Sequence, residues 1–175
     1  MQAELPELPS APDPTAEAVS KQPRRIGGVL IFVAIGLIIS LIQNLGILQA
    51  NLAPFRQVEA WERVTTPGSF AYHPNWKSVL LFELISSSAI LGLNVVVVAL
   101  FFRKQKQFPK VTVVVIPVIF VLMLFGYYFS GLIPAVAESP DYSKQQSALL
   151  IRFVALHVWI PYFLVSERVR ETFVR

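Results

Sequence analysis

Four long apolar stretches, set apart by polar connections, organise the sequence. They run from residues 26–49, 77–102, 110–133 and 146–165. Each is long enough to cross a hydrocarbon core, which takes about 20 helical residues. Valine and isoleucine are frequent in them, but polar and apolar positions do not alternate as they do in the strands of a membrane β-barrel. Helix is then the remaining spanning structure, because lipid cannot satisfy a free backbone N–H or C=O. The pattern predicts an all-α membrane protein with four transmembrane helices.

Composition agrees with this and charge adds an orientation. Over half of the residues (54%) are hydrophobic and only 15% are charged, against about 25% charged in a soluble domain. One side of the predicted bundle collects Lys21, Arg24, Arg25, Arg103, Lys104, Lys106, Lys110, Arg168, Arg170 and Arg175. The other has Arg56, Arg63, Lys77 and Lys144, and Arg152 falls inside a span. The positive-inside rule places both termini and the second loop in the cytoplasm. The net charge of +4 thus reads as topology and not as a nucleic-acid surface. No cysteine is present, which excludes disulfides, thiolate metal sites and cysteine nucleophiles.

The flanking segments are of three kinds. Residues 1–22 are rich in proline and acidic side chains and lack the apolar content to fold, so they read as a disordered cytoplasmic tail before a four-helix domain at 23–175. The first apolar stretch is too long for the apolar core of a signal peptide and reads as a retained anchor. In the loop from Asn51 to Trp76, "PFRQVEAWERV" predicts a short interfacial helix. Pro54 suits its first turn, Glu59 and Arg63 are four apart, and Phe55, Val58 and Trp61 lie on a loose apolar side. Residues 166–175 read as a basic amphipathic extension lying against headgroups, with Arg168, Arg170 and Arg175 contacting anionic lipid or a cytoplasmic partner.

Polar groups at membrane depth are the candidates for function. Glu83 and Arg152 each lie six residues into an apolar stretch from the outer side. Matching depths and opposite charges predict an ion pair clamping the second and fourth spans, with an ion or proton relay as the functional alternative. Glu83, Ser87 and Asn94 share a helical stripe that should face the bundle, Asn94 as an interhelical hydrogen-bond partner. Ser88 with Gly92, and Gly126 with Ser130, are small-residue pairs expected at helix contacts. His157 reads as a packing residue near the middle of the fourth span. Gln43 and Asn44 read as interfacial. Pro117 and Pro161 are expected to kink the third and fourth spans. No catalytic constellation is visible, two isolated histidines make no metal site, and no cofactor is implied.

The stretches "IGGVLIFVAIGLIIS", "HPNWKSVLLFE", "FFRKQKQFPK" and "WIPYFLVSERVRETFV" resemble the DUF2569 family of small bacterial inner-membrane proteins of unknown function. The closing stretch is the most specific, on Trp159, Ile160, Pro161, Tyr162, Phe163, Ser166, Arg168, Val169, Thr172 and Phe173. The family more often has lysine at positions 167 and 170. The resemblance implies four membrane helices and supplies no catalytic residues. Two functions remain open from the residues. One is a non-enzymatic membrane protein that assembles with itself or another membrane protein. The other is an oligomeric transporter or channel subunit that uses Glu83, Asn94, Arg152 and His157. A membrane enzyme acting on lipid has the least support.

Overall fold

The computed structural model describes residues 26–174; the tail at 1–22, Lys21, Arg24, Arg25 and Arg175 lie outside the described residues. Four long helices carry the fold: α1 (Val29–Arg56), α3 (Trp76–Phe102), α4 (Phe108–Ser130) and α6 (Pro140–Val165). Three short ones lie between and after them: α2 (Val58–Thr65), α5 (Pro134–Ala137) and α7 (Glu167–Thr172). All four long helices are long and apolar enough to span a membrane. Their outward side chains, including Phe32, Ile42, Ile85, Val114, Ile151 and Val165, are large, apolar and exposed. Such a surface requires an apolar solvent.

The helices pack in a row, α1 against α3, α3 against α4, and α4 against α6. The ends of that row, α1 and α6, do not pack along each other. Burial follows this order. In the most apolar window of α3, 28% of residues are buried, against 6% in α6, so α3 is the interior member and α6 an edge. The core gathers at the end of the bundle where the described residues begin and end, nearest the two termini in sequence. There Leu30, Val33, Val97, Phe101, Phe108, Val115, Phe163, Val169 and Phe173 form one cluster.

Helix boundaries differ from the hydropathy pattern where local backbone chemistry overrides it. The fourth span begins at Pro140 and not near residue 146, because "SPD" is a strong start signal. The Ser139 Oγ accepts from the Tyr142 N–H at 3.3 Å, proline occupies the first turn, and Asp141 faces the positive end of the helix dipole. The first span runs on to Arg56 with Pro54 in its last turn. Proline near a helix end removes only one late hydrogen bond, so the break falls at Gln57 and the short amphipathic helix starts at Val58. Phe55 packs on Trp61 with ring centroids 5.0 Å apart, while Val58 is exposed.

The closing segment departs most from expectation. Ser166 is extended (φ −69°, ψ 116°) and turns the chain after α6. The six residues of α7 and the Phe173 that follows them then fold back across the end of the bundle, burying Val169, Thr172 and Phe173. Phe173 stacks on Phe108 at 4.4 Å and lies 5.5 Å from Phe101. The apolar side expected to face lipid headgroups is therefore core. Arg170 is exposed, but Arg168 is not free for headgroups. It reaches back to the start of α1, where a Cβ built on Gly28 would sit 2.9 Å from its Nη1. "IGG" and "SERVRETF", from opposite ends of the sequence, thus meet in one closure.

Candidate functional site

The missing fourth side of the helix row leaves two adjoining cavities. One lies in the half nearer the chain termini and is about 360 Å³. Its walls are largely apolar and come from all four long helices, with Phe32, Leu37, Ile116, Ile119, Trp159 and Phe163 among them. The other lies in the far half, is about 320 Å³, and is bordered by Asn51, Glu83, Ser86, Ser87 and Gln145. Asn44, Met123 and Arg152 border both. Volumes of this size fall in the range of small-molecule sites.

A polar strip runs along α1 beside these cavities. Ser40, Asn44 and Asn51 are spaced four and seven apart, which keeps them on one helical face. The Ser40 hydroxyl donates to Asn94 Oδ1 at 3.2 Å, and the Asn44 amide donates to Ser40 Oγ at 3.3 Å. Asn51 donates to the Glu83 carbonyl at 3.2 Å. Asn94, buried, also donates to Ile90 O at 3.3 Å, so it ties α3 to α1 and faces the bundle with Ser87 as the stripe predicts. Interhelical bonds of this kind contribute about 0.6 kcal/mol each in a membrane. Asn44 lies near the middle of α1 and borders both cavities. The helical spacing of Ser40, Asn44 and Asn51 was the signal for this strip.

Glu83 and Arg152 border the same far cavity, yet they form no ion pair. The helix starts explain the separation. Glu83 is seven residues into α3, about 10 Å, whereas Arg152 is twelve residues past Pro140, about 18 Å. Glu83 instead accepts from the buried Ser130 hydroxyl at 2.7 Å, joining α3 to α4. A charge-assisted bond of this kind contributes about 1.5–3 kcal/mol. Arg152 Nη1 lies 2.7 Å from Met123 Sδ. A thioether is a weak acceptor, and a guanidinium carries five N–H donors. The cation is therefore poorly satisfied by the protein.

A second unsatisfied group borders the cavity nearer the termini. Thr112 is 3% exposed, and its hydroxyl has no hydrogen-bond partner. An unmade bond of this kind costs about 1–3 kcal/mol. His157 borders neither cavity; it is exposed, with Nδ1 2.9 Å from the Phe153 carbonyl and its ring against Phe153. Pro117 and Pro161 lie within α4 and α6 and end neither helix. Gly126 and Ser130 do meet α3, the glycine beside Phe82 and the serine on Glu83. Ser88 and Gly92 are exposed, and a Cβ built on Gly92 would meet nothing within 4 Å. No group of three histidine, aspartate or glutamate side chains converges as a metal site would among the described residues.

The DUF2569 family model, described as a protein of unknown function, matches residues 23–174. The chain belongs to that family. Neither a curated protein nor a solved structure matches it.

Proposed function

We propose that this DUF2569 protein is a non-enzymatic, multi-pass protein of the bacterial cytoplasmic membrane that works by binding, and that it holds a bilayer molecule between α1 and α6. One observation carries the reading. The row of four helices is unclosed at α1 and α6, and the space bounded by them is apolar along its walls with amide, hydroxyl and guanidinium groups inside. A bundle selected only for packing would close that side, because van der Waals contact is the main force joining helices in lipid. The basic residues at the terminus-bearing end, Arg103, Lys106, Lys110 and Arg170 among them, support a cytoplasmic location for that end. With that orientation, α2 lies at the outer leaflet.

Transport is the second reading, favoured by the shared walls at Asn44, Met123 and Arg152, which bring the two cavities together along the bundle. Photo-crosslinking tests the binding reading. The full chain in lipid nanodiscs is exposed to an alkyl chain bearing a diazirine. Adducts are expected on Leu37, Ala155, Leu156 and Trp159, which border the cavity and are not outward-facing. Adducts confined to lipid-facing positions such as Val154 and Val158 would sink it.

A further inference from the structure

We infer that the groove accepts an anionic single-chain amphiphile from the bilayer, its phosphate or carboxylate held by Arg152 and its chain running toward the terminus-bearing end. This rests on the groove-binding reading above and adds the charge and the direction of the ligand.

Three observations converge on it. The first is charge. Among the described residues, Arg152 is the one charged residue bordering the cavity nearer the termini, and its only hydrogen-bond partner is the sulfur of Met123. An oxyanion would occupy donors that the protein leaves poorly used. The second is placement. Glu83 borders the far cavity, so like charge disfavours an anion on that side. The nearer cavity has no acidic wall residue, and the anion belongs on the near side of Arg152, beside the amide of Asn44. The third is shape. From Arg152 to Phe163 along α6 is about 16 Å of helix, and the α6 wall over that length, Ala155, Leu156, Trp159 and Phe163, is aromatic and aliphatic. Arg152 also lies just past the polar first turns of α6, Asp141 to Ser147, so an outer-leaflet headgroup reaches it by sliding between α1 and α6 without crossing the membrane. A soluble anion would gain nothing from the apolar walls or the lateral opening.

The test uses Trp159, which borders this cavity. With Trp61 and Trp76 replaced by phenylalanine, Trp159 is the sole tryptophan of the three. The full chain is placed in phosphatidylcholine nanodiscs and titrated with a brominated octadecyl phosphate or the matching brominated octadecanol, and bromine quenching is read. The phosphate is expected to half-saturate at about a tenfold lower mole fraction, the ratio that ~1.4 kcal/mol of charge-assisted contact produces. Arg152→Gln should abolish the difference. If that variant does not accumulate, Arg152→Lys should keep the preference but reduce it, since an ammonium lacks the bidentate fork. Equal quenching by both probes, or a preference unchanged in Arg152→Gln or Arg152→Lys, overturns the inference and leaves groove binding standing. No saturable quenching by either probe overturns both. Inorganic phosphate that displaces the brominated phosphate at equal concentration also overturns the inference, because the site would then read the anion without its chain.

Discussion

Phe173 measures what the closing segment does. Its ring is 4% exposed, stacked on Phe108 at 4.4 Å and within 5.5 Å of Phe101. Truncating a buried phenylalanine costs about 3–5 kcal/mol, of which each aromatic contact supplies about 0.5–1.5 kcal/mol. Because α7 lies outside the spanning helices, water replaces the core when it is released, and the transfer term applies in full. Phe173→Ala should therefore cost at least about 3 kcal/mol, a fall in melting temperature of about 6–12 °C for a chain of this size. Arg170→Ala, one turn away but exposed, should stay within about 0.5 kcal/mol of the parent. The assay is thermal unfolding of the purified protein in detergent, followed by near-ultraviolet circular dichroism or light scattering. If both variants melt like the parent, α7 is a membrane-surface anchor and the packing argument is wrong. If Arg170→Ala is the more damaging, the segment acts through its charges. Truncation after Ser166 removes Val169 and Phe173 together and should lower the yield of folded protein.

Three further comparisons probe separate links. Gly28 sits at φ +58° against the Arg168 guanidinium, so Gly28→Ala should destabilise by about 1–3 kcal/mol through backbone conformation and contact. Gly92→Ala, in open space on a helix, should be neutral or better by up to about 1 kcal/mol. The same melting assay separates the two. A double-mutant cycle between Glu83→Ala and Ser130→Ala should show coupling of about 1.5–3 kcal/mol, while one between Glu83→Ala and Arg152→Ala should fall below about 0.5 kcal/mol. The reverse ranking would restore the direct clamp. Thr112→Val removes an unpartnered buried hydroxyl while keeping its shape, and should raise the stability of the protein by about 1 kcal/mol in delipidated detergent. A loss there would mean that the hydroxyl has a partner in that state.

The spans were legible in the sequence because the membrane imposes one rule, a long run of apolar residues with few charges, and that rule does not depend on tertiary contacts. The Glu83–Ser87–Asn94 stripe was legible for the same reason that helical faces are, since eleven residues make close to three turns. What depended on three dimensions was not. The amphipathic ending looks alike whether its apolar side meets lipid or protein, and only the position of Phe108 and Phe101 at the same end of the bundle decides between them. Ser88 with Gly92 has the spacing of a helix contact, yet in a four-helix row each helix has faces with no neighbour, and that pair falls on one. The strip of Ser40, Asn44 and Asn51 was not legible as one, because Asn44 alone reads as interfacial and Ser40 and Asn51 alone resemble ordinary polar residues of a helix or loop. Their common face emerges only once α1 is known to run unbroken to Arg56.

The displaced Glu83–Arg152 pair connects the fold to the proposed function. Hydropathy places both residues six positions into an apolar run, but hydropathy marks where lipid begins on a helix, and not where side chains of two helices come level. The cap at Ser139 extends α6 outward, and contact between α3 and α4 delivers Ser130 to the Glu83 carboxylate first. Each carboxylate oxygen taken by a hydroxyl makes a distant guanidinium a weaker competitor, because breaking a short bond must be offset by the new one. Arg152 is then left facing a thioether, a poor partner for a cation in a membrane, where an unpaired arginine costs about 2.5–3.5 kcal/mol on insertion scales. A direct clamp would have relieved that cost. Its absence leaves a cation exposed to the groove at the level where the two cavities adjoin, which is the arrangement an anionic ligand requires.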